Sequence, residues 1–576
     1  MARKRRERSN RAPLPGAFFA TLAWMLATFG LAVFTQVRLQ VADRSAVLAK
    51  AKSAQMLERS LQRSADRGTL YSADNQVLAQ SRTAYEFGVF FDRVPSTPGF
   101  FMALAEAAGI SEADISVPFL SGRPNVWLDA LHTAQYKRVR RVMSEWGADG
   151  VSLKEQTSRV YPLRKDAIGL TGWIRDGVAQ MGIELAYDKV LSGQGGSATG
   201  IYGLDGQFRQ MGARTEARKD GADVRLTIDS VLQSVATDGI RRAVEINMAQ
   251  SGAVVVLEPK TGNILAMASW PTFDPVQGPD GTSELMTSYM EVLPPGSTFK
   301  VLTLAKALEM GAVDGQLQID CTGTKVLGPG RSVRCDLHNG RRAHGTVSLE
   351  EAIARSCNVS AATWALAVGR DEMIHFLRDV GLLDRSGLGL TAEAAPQFNF
   401  EAWDKERQLA TLGFGQSLAV TPLGLASALS TIANDGVYVP PRLVSHVAGR
   451  EAPMPEQRRV FSQDVARQVR RYMESVVHEE WGTADKLAIP GIRIAGKTGT
   501  AQKLGEGGGN VSAFVGMFPA DHPRAVVLVV VNEPKAGEIY GSVVAGPAFD
   551  EIARAVIRQL KIPRSAVSDQ TSSSKE

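Results

Sequence analysis

Cysteine is scarce in this chain, with three residues in 576, which excludes a disulfide-dense scaffold. A basic surplus on the folded part is missing as well. Lys+Arg exceeds Asp+Glu by 65 − 60 = 5, but residues 1–15 alone carry Arg3, Lys4, Arg5, Arg6, Arg8 and Arg11 against Glu7. The tail accounts for the whole surplus, whereas a nucleic-acid binder is expected to hold it on its folded domain. A second long uncharged run is also absent, since the later apolar run Ala525–Val531 is only strand-length. A polytopic membrane protein is therefore a poor reading. What is present, 44% apolar and 22% charged residues, is an ordinary globular balance. It argues against wholesale disorder and a collagen-like chain, and the length allows roughly four domain-sized units.

The one long uncharged run is Gly16–Val37, GAFFATLAWMLATFGLAVFTQV. About 20 such residues at 1.5 Å rise cross ~30 Å of hydrocarbon. The basic cluster precedes it and Arg38 follows, so the positive-inside rule places residues 1–15 in the cytoplasm and the rest outside. A cleaved signal peptide would have a shorter apolar core and a small-x-small exit, which Phe34-Thr35-Gln36-Val37 does not supply. The expectation is a single-pass anchor in the cytoplasmic (inner) membrane, with the remaining chain on the periplasmic or extracellular side.

Beyond the anchor, residues 39–65 read as an amphipathic helix ended by Asp66-Arg67-Gly68, and residues 67–225 mix short strands, turns and helices. Leu226-Thr227-Ile228-Asp229 ends a strand before a helix reaching about Glu245. A hairpin follows, with strands Ala253–Leu257 and Ile264–Ala268 around the turn Pro259-Lys260-Thr261-Gly262. Helices dominate 298–435, one of them opened by Thr421 as N-cap with Pro422 in its first turn. Ile492–Ala495, Ser512–Met517 and Ala525–Val531 read as strands, Ala545–Leu560 as a last helix, and 563–576 as a disordered polar tail. Strands at both ends with helices between them give an α+β domain on an antiparallel sheet.

Three short stretches carry chemistry. In Pro294-Pro295-Gly296-Ser297-Thr298-Phe299-Lys300 the prolines and glycine break the chain ahead of a helical pattern. Ser297 is then at a helix start, where backbone N–H groups stabilise a developing anion. Lys300 follows three residues later on the same face, and a desolvated lysine beside another cation can lose its proton and serve as base. Ser356-Cys357-Asn358, after the helical Leu349–Arg355, offers a hydroxyl for proton relay and an amide for a carbonyl. Lys497-Thr498-Gly499-Thr500, after the strand Ile492–Ala495, offers a cation and hydroxyls for a carboxylate, with Gly499 letting a peptide approach the strand edge. Each stretch alone is weak: Ser-x-x-Lys recurs at Ser572 and Lys575, and Lys260-Thr261-Gly262 fits a hairpin turn.

In this order the three form the Ser-x-x-Lys, Ser-x-Asn, Lys-Thr-Gly series of penicillin-binding proteins and serine β-lactamases. The chain resembles the class B penicillin-binding proteins from its anchor to about Leu560. Arg67-Gly68-Thr69-Leu70, Gly413-Phe414-Gly415-Gln416 and Thr421-Pro422-Leu423 look like family segments. Ala513-Phe514-Val515-Gly516, Pro519-Ala520-Asp521 and Gly546-Pro547-Ala548-Phe549 resemble the FtsI-type cell-division transpeptidases. Where the family usually has glycine, Asn75 stands, a residue that tolerates the left-handed turn.

The resemblance implies a cytoplasmic tail (1–15), an anchor (16–37), an elongated pedestal of the dimerisation type (38–225) and a transpeptidase domain (226–562). It implies a D,D-transpeptidase that crosslinks peptidoglycan stem peptides through a serine acyl-enzyme during septum synthesis. Ser297 would be the nucleophile, Lys300 the base, Ser356 the proton relay to the leaving amine and Asn358 the ligand of the acyl-side amide. Lys497, Thr498, Gly499 and Thr500 would bind the terminal carboxylate end. No metal or organic cofactor is implied. β-Lactams would be covalent inhibitors. Residues 39–225 lack the paired-glutamate motifs of a glycosyltransferase, so the resemblance implies a polytopic FtsW-type glycosyltransferase as partner, among other divisome membrane proteins. The alternatives are an elongation- or sporulation-type enzyme of the same class, or an inactive divisome scaffold.

Cys321 and Cys335 leave three readings open: a disulfide across the Gly328-Pro329-Gly330 reversal, two small buried residues, or a zinc site with His338 and His344 in a loose Cys-x13-Cys-x2-His-x5-His spacing. Cys357 reads as a buried filler.

Overall fold

The structure, a computed structural model, describes residues 15–38, 59–63, 65–175, 177–202, 208–275, 278–279, 285–335, 343–398, 405–503 and 508–564. The expected basic tail at 1–15 lies outside these residues except for Pro15, and most of the expected disordered tail, 565–576, lies outside them too.

The chain divides into two compact units, Met1–Ala65 with Gln194–Lys219, and Asp66–Gly193 with Asp220–Glu576. In the first, Pro15–Val37 is one helix. Phe18, Trp24, Phe29 and Phe34 on it are between 63% and 71% exposed, so none of the described residues covers its apolar surface. Its length and hydropathy are those of a membrane-spanning helix. The same unit holds an antiparallel sheet of Arg59–Arg63, Gly196–Tyr202 and Phe208–Glu216. The helix expected over 39–65 is thus corrected at its end. Arg59–Arg63 is a strand because a remote segment, Gly196–Gly200, supplies its backbone partners; residues 39–58 lie outside the description.

The second unit is built on two large sheets, with shorter two-stranded ones beside them. One has eight strands. Val77–Phe90 pairs with Asn125–His132, Val151–Ser152 and Glu155–Val160. The turn leading into it is made by Asn75, which takes the left-handed φ of 63°. Val224–Leu226 lies parallel to Leu70–Tyr71 on one side and antiparallel to Val444–Val447 on the other. Arg67 is held beside this sheet: it and Arg159 grip the fully buried Glu184 carboxylate at 2.5 and 2.7 Å.

The other sheet runs in the order Ile264–Trp270, Ser251–Leu257, Ala525–Asn532, Asn510–Phe518, Ala495–Gln502, with every neighbour antiparallel. Its inner strands are buried along their length, as apolar runs such as Val526–Val531 require. The helices Ser230–Ile246 and Gly546–Gln559 pack on it, and Pro422–Ala433 lies against two inner strands. The caps follow the sequence: Asp229 accepts from the Leu232 amide and Thr421 from the Gly424 amide, each cap contributing about 1 kcal/mol. This is the expected α+β fold, a sheet flanked by helices. One strand differs from expectation. Lys497-Thr498-Gly499-Thr500 does not follow a strand at Ile492–Ala495 but lies inside the edge strand Ala495–Gln502, paired residue for residue with Asn510–Met517. Between the helices of 298–435 the fold also inserts short strands, Ile319–Cys321 with Gly345–Val347 and Thr324–Gly328 with Arg331–Arg334.

Candidate active site

Pro294-Pro295 ends the preceding segment, and Gly296–Phe299 forms a tight 3-10 turn that runs into the helix Lys300–Glu309. Gly296 has φ 57°, and a Cβ on it would meet Ala501 Cβ at 2.9 Å and the Thr500 carbonyl at 3.0 Å. Gly415, at φ 78°, leaves room for the Gly296 backbone, whose N–H donates to the Gly415 carbonyl at 3.0 Å. The glycines of two separate motifs thus let the Ser297 turn sit against the edge strand. Ser297 is half-buried and lines a cleft of about 880 Å³ together with Ser356, Asn358, Thr498 and Thr500.

Lys300 and Lys497 do not line that cleft. Both are fully buried and meet behind Ser356. Lys300 Nζ donates to the Ser356 carbonyl and, at 3.0 Å, to its Oγ. Lys497 Nζ donates to the same Oγ at 3.0 Å and to the Thr498 carbonyl at 3.0 Å. Burial, with the Lys300 charge adding to it, holds the Lys497 ammonium well below its usual range. The Ser356 oxygen accepts from two amines, which leaves its own proton free to point elsewhere. Ser356 itself has φ 57°, a strained conformation for a residue with a side chain. It is bracketed by the capping-box helix Leu349–Ala354, where Ser348 and Glu351 cap each other, and by the helix Asn358–Val368. Asn358 stands at the first position of the latter and donates to the Arg334 carbonyl at 2.9 Å.

Along the edge strand, Lys497, Gly499 and Ala501 share one face and meet Ser356, Thr298 and Gly296 in turn. A Cβ on Gly499 would lie 2.9 Å from Thr298 Cγ2 and 3.4 Å from the Pro295 carbonyl. The missing side chain therefore makes room for the turn that carries Ser297. Lys497 reaches the cleft through its hydrogen bond to Ser356.

Sequence reasoning missed one feature and read another only in part. At the rim, the Arg355 guanidinium lies 5.5 Å from the Trp481 ring, and Thr483 Oγ1 is 2.9 Å from Thr498 Oγ1; nothing in the local pattern marks that loop. The cysteines were read in part. Cys321 and Cys335 are free thiols with their sulfurs 3.5 Å apart, far beyond a disulfide's ~2.05 Å. The structure thus shows no disulfide between them. Cys357, expected to be inert filler, is 3.7 Å from Cys335 Sγ. His338 lies outside the described residues.

Comparisons with known proteins agree with this geometry. Residues 252–554 match the family described as penicillin binding protein transpeptidase domain, and residues 62–226 match the penicillin-binding protein dimerisation domain. The probable peptidoglycan D,D-transpeptidase PenA of Neisseria meningitidis is 30% identical, over 85% of this chain and 83% of its own. Peptidoglycan D,D-transpeptidase FtsI of Escherichia coli is 31% identical, over 73% of this chain and 70% of its own. Among solved structures, penicillin binding protein 3 of Mycobacterium tuberculosis shares the fold with a TM-score of 0.67 at 24% identity, covering 88% of this chain and 98% of that one. A dimerisation domain, a transpeptidase domain and FtsI- and PenA-type relatives go together with the site described above, and the chain belongs to the class B penicillin-binding protein transpeptidases.

Proposed function

We propose that this chain crosslinks peptidoglycan stem peptides at the division septum by serine acyl transfer. The observation that carries the reading is the Ser356 hydroxyl, held 3.0 Å from the amines of both Lys300 and Lys497 on the wall of a cleft that also presents Ser297. Ser297 Oγ attacks the penultimate D-Ala carbonyl while Lys300 takes its proton. Backbone N–H groups of Ser297 and Thr500 receive the oxyanion. The C–N bond to the terminal D-Ala breaks, and Ser356 delivers a proton to the departing amine, replenished from the lysine pair. An amine of a neighbouring stem then attacks the acyl-serine ester and restores Ser297. Asn358 binds the acyl-side amide. Thr498 and Thr500 hold the terminal carboxylate at the cleft wall, with Lys497 supporting this end from behind through Ser356 and the Thr498 carbonyl and Gly499 keeping the strand against the Ser297 turn.

Residues 16–37 anchor the chain once in the cytoplasmic membrane, with the basic tail inside and the catalytic domain outside, as the charge asymmetry favours. Residues 38–225 serve as pedestal and 226–562 as transpeptidase domain. A polytopic FtsW-type glycosyltransferase supplies the glycan strands, contacted through the anchor and pedestal. Stage V sporulation protein D of Bacillus subtilis is 31% identical over 72% of this chain, so localisation to mid-cell is the measurement that separates division from a sporulation or side-wall role.

The chemistry is tested by penicillin treatment, intact-protein mass spectrometry and peptide mapping. One adduct on Ser297 is expected. Ser297→Ala and Lys300→Ala should abolish it, and Lys497→Ala should slow it less. An adduct elsewhere, or unchanged labelling of Ser297→Ala, overturns the assignment.

A further inference from the structure

Four side chains from separate segments converge beside Ser356. Cys321 ends the strand Ile319–Cys321, and His344 immediately precedes its partner strand Gly345–Val347. Cys335 follows the hairpin strand Arg331–Arg334, and Cys357 caps the helix Asn358–Val368. The three sulfurs and a ring nitrogen of His344 all lie within 4.8 Å of one another. Cys321 Sγ is 3.5 Å from Cys335 Sγ and 3.5 Å from His344 Nδ1, and Cys335 Sγ is 3.7 Å from Cys357 Sγ.

These separations have a simple explanation. Ligands at ~2.3 Å (sulfur) and ~2.0–2.1 Å (imidazole) from a tetrahedral zinc stand about 3.8 Å apart for S···S and about 3.5 Å for S···N. The three separations above lie within about 0.3 Å of those edges, and no sulfur pair is at bonding distance. The surroundings fit as well. The Val359 and Ser360 amides each point at a sulfur, of Cys335 and Cys357 respectively, at 3.4 Å, the kind of outer support that orients and stabilises thiolate ligands. Three thiolates and an imidazole form a closed soft set that suits zinc among the common metals.

We infer that Cys321, Cys335, His344 and Cys357 form a structural zinc site that clamps the Ser356-Cys357-Asn358 loop. Zinc displaces three thiol protons to solvent and binds three sulfurs and one nitrogen, giving a centre with one net negative charge. With four protein ligands it has no open position, so the metal holds structure and performs no chemistry on substrate. Its effect on the proposed reaction runs through the neighbours of Cys357: it keeps Ser356 in its strained conformation between the two lysines. That last consequence rests on the transpeptidase reading, but the metal site does not.

The test uses the full chain in detergent, purified without chelator. One zinc per chain is expected by elemental analysis. Cobalt exchanged into the site should give the visible bands and thiolate charge-transfer absorption of tetrahedral coordination. The Cys321→Ser/Cys335→Ser double variant should lose the metal, whereas Ser297→Ala should keep it while losing the penicillin adduct, which separates failure of this inference from failure of the reaction. Should the double variant not fold, alkylation of the unaltered chain decides: all three thiols should be protected until a chelator is added, and readily modified afterwards. Substoichiometric zinc after incubation with excess metal, alkylation indifferent to chelator, or a mapped Cys321–Cys335 disulfide would overturn the site.

Discussion

Replacing Gly499 by alanine puts a methyl carbon 2.9 Å from Thr298 Cγ2, 3.3 Å from Ala513 Cβ and 3.4 Å from the Pro295 carbonyl. Non-bonded carbons settle at ~3.5–4.0 Å, so the Thr298 contact alone demands a displacement of roughly 0.6–1 Å. The strand is fixed on its other side by eight paired residues, and Thr298 is fully buried. The displacement therefore falls on the turn that carries Ser297. Overpacking of this size costs about 1–3 kcal/mol of stability, and a 1 Å misplacement of a reacting group costs on the order of 100-fold in rate. Acylation by a fluorescent penicillin, followed in time on gels, should slow ~10–100-fold in Gly499→Ala. Thr298→Ser removes the clashing Cγ2 but keeps the hydroxyl that donates to the Pro295 carbonyl at 2.7 Å. Alone it should be mild, costing ~0.5–1.5 kcal/mol for a lost methyl; combined with Gly499→Ala it should restore most of the rate. Wild-type acylation by Gly499→Ala, or a double variant as slow as the single one, would refute the packing argument.

Lys497 gives a pH prediction. Its folded value lies well below the ordinary 10.5, so between the two values the unfolded chain binds a proton that the folded protein does not. Stability from this residue therefore rises with pH across that window and is lost as pH falls through it, by at most ~1.4 kcal/mol per pH unit. In thermal melts from pH 10 downward, the wild type should lose ground against Lys497→Met, and parallel curves would contradict the buried, depressed amine. In the network of Arg67, Arg159 and Glu184, Glu184→Ala takes the carboxylate from Arg159, which is 6% exposed, while Arg67 keeps its ion pair to Asp188 at 2.6 Å. A cost of about 3–5 kcal/mol is expected, read from denaturant unfolding, and a change under 1 kcal/mol would show that the network relaxes freely.

That the three motifs meet at one cleft was legible in sequence because their order and spacing carry more than their parts, and the α+β sheet because its apolar runs are strand-length and lie at both ends of the domain. The extent of the edge strand was not. Lys497 and Gly499 weaken the strand pattern locally, and only pairing with Asn510–Met517 reveals that Ala495–Gln502 is continuous. Arg59–Arg63 read as helix because its partner is some 140 residues away. The four-ligand cluster was half visible. Spacing marked Cys321, Cys335 and His344 but could not choose His344 over His338, and Cys357 was hidden by the Ser-x-Asn motif around it.

The Val224–Leu226 strand has a consequence for dissection of the molecule. It is hydrogen-bonded to Leu70–Tyr71 and to Val444–Val447 at once, so the segments that match the dimerisation and transpeptidase families are joined by a shared ladder and not a tether. A cut at residue 226 strips Val444–Val447 of one of its two neighbours and leaves an unpaired edge, the feature that invites self-association. The two regions should then melt as one cooperative body, and a push on the pedestal is delivered to the catalytic half along backbone hydrogen bonds, with little slack to absorb it.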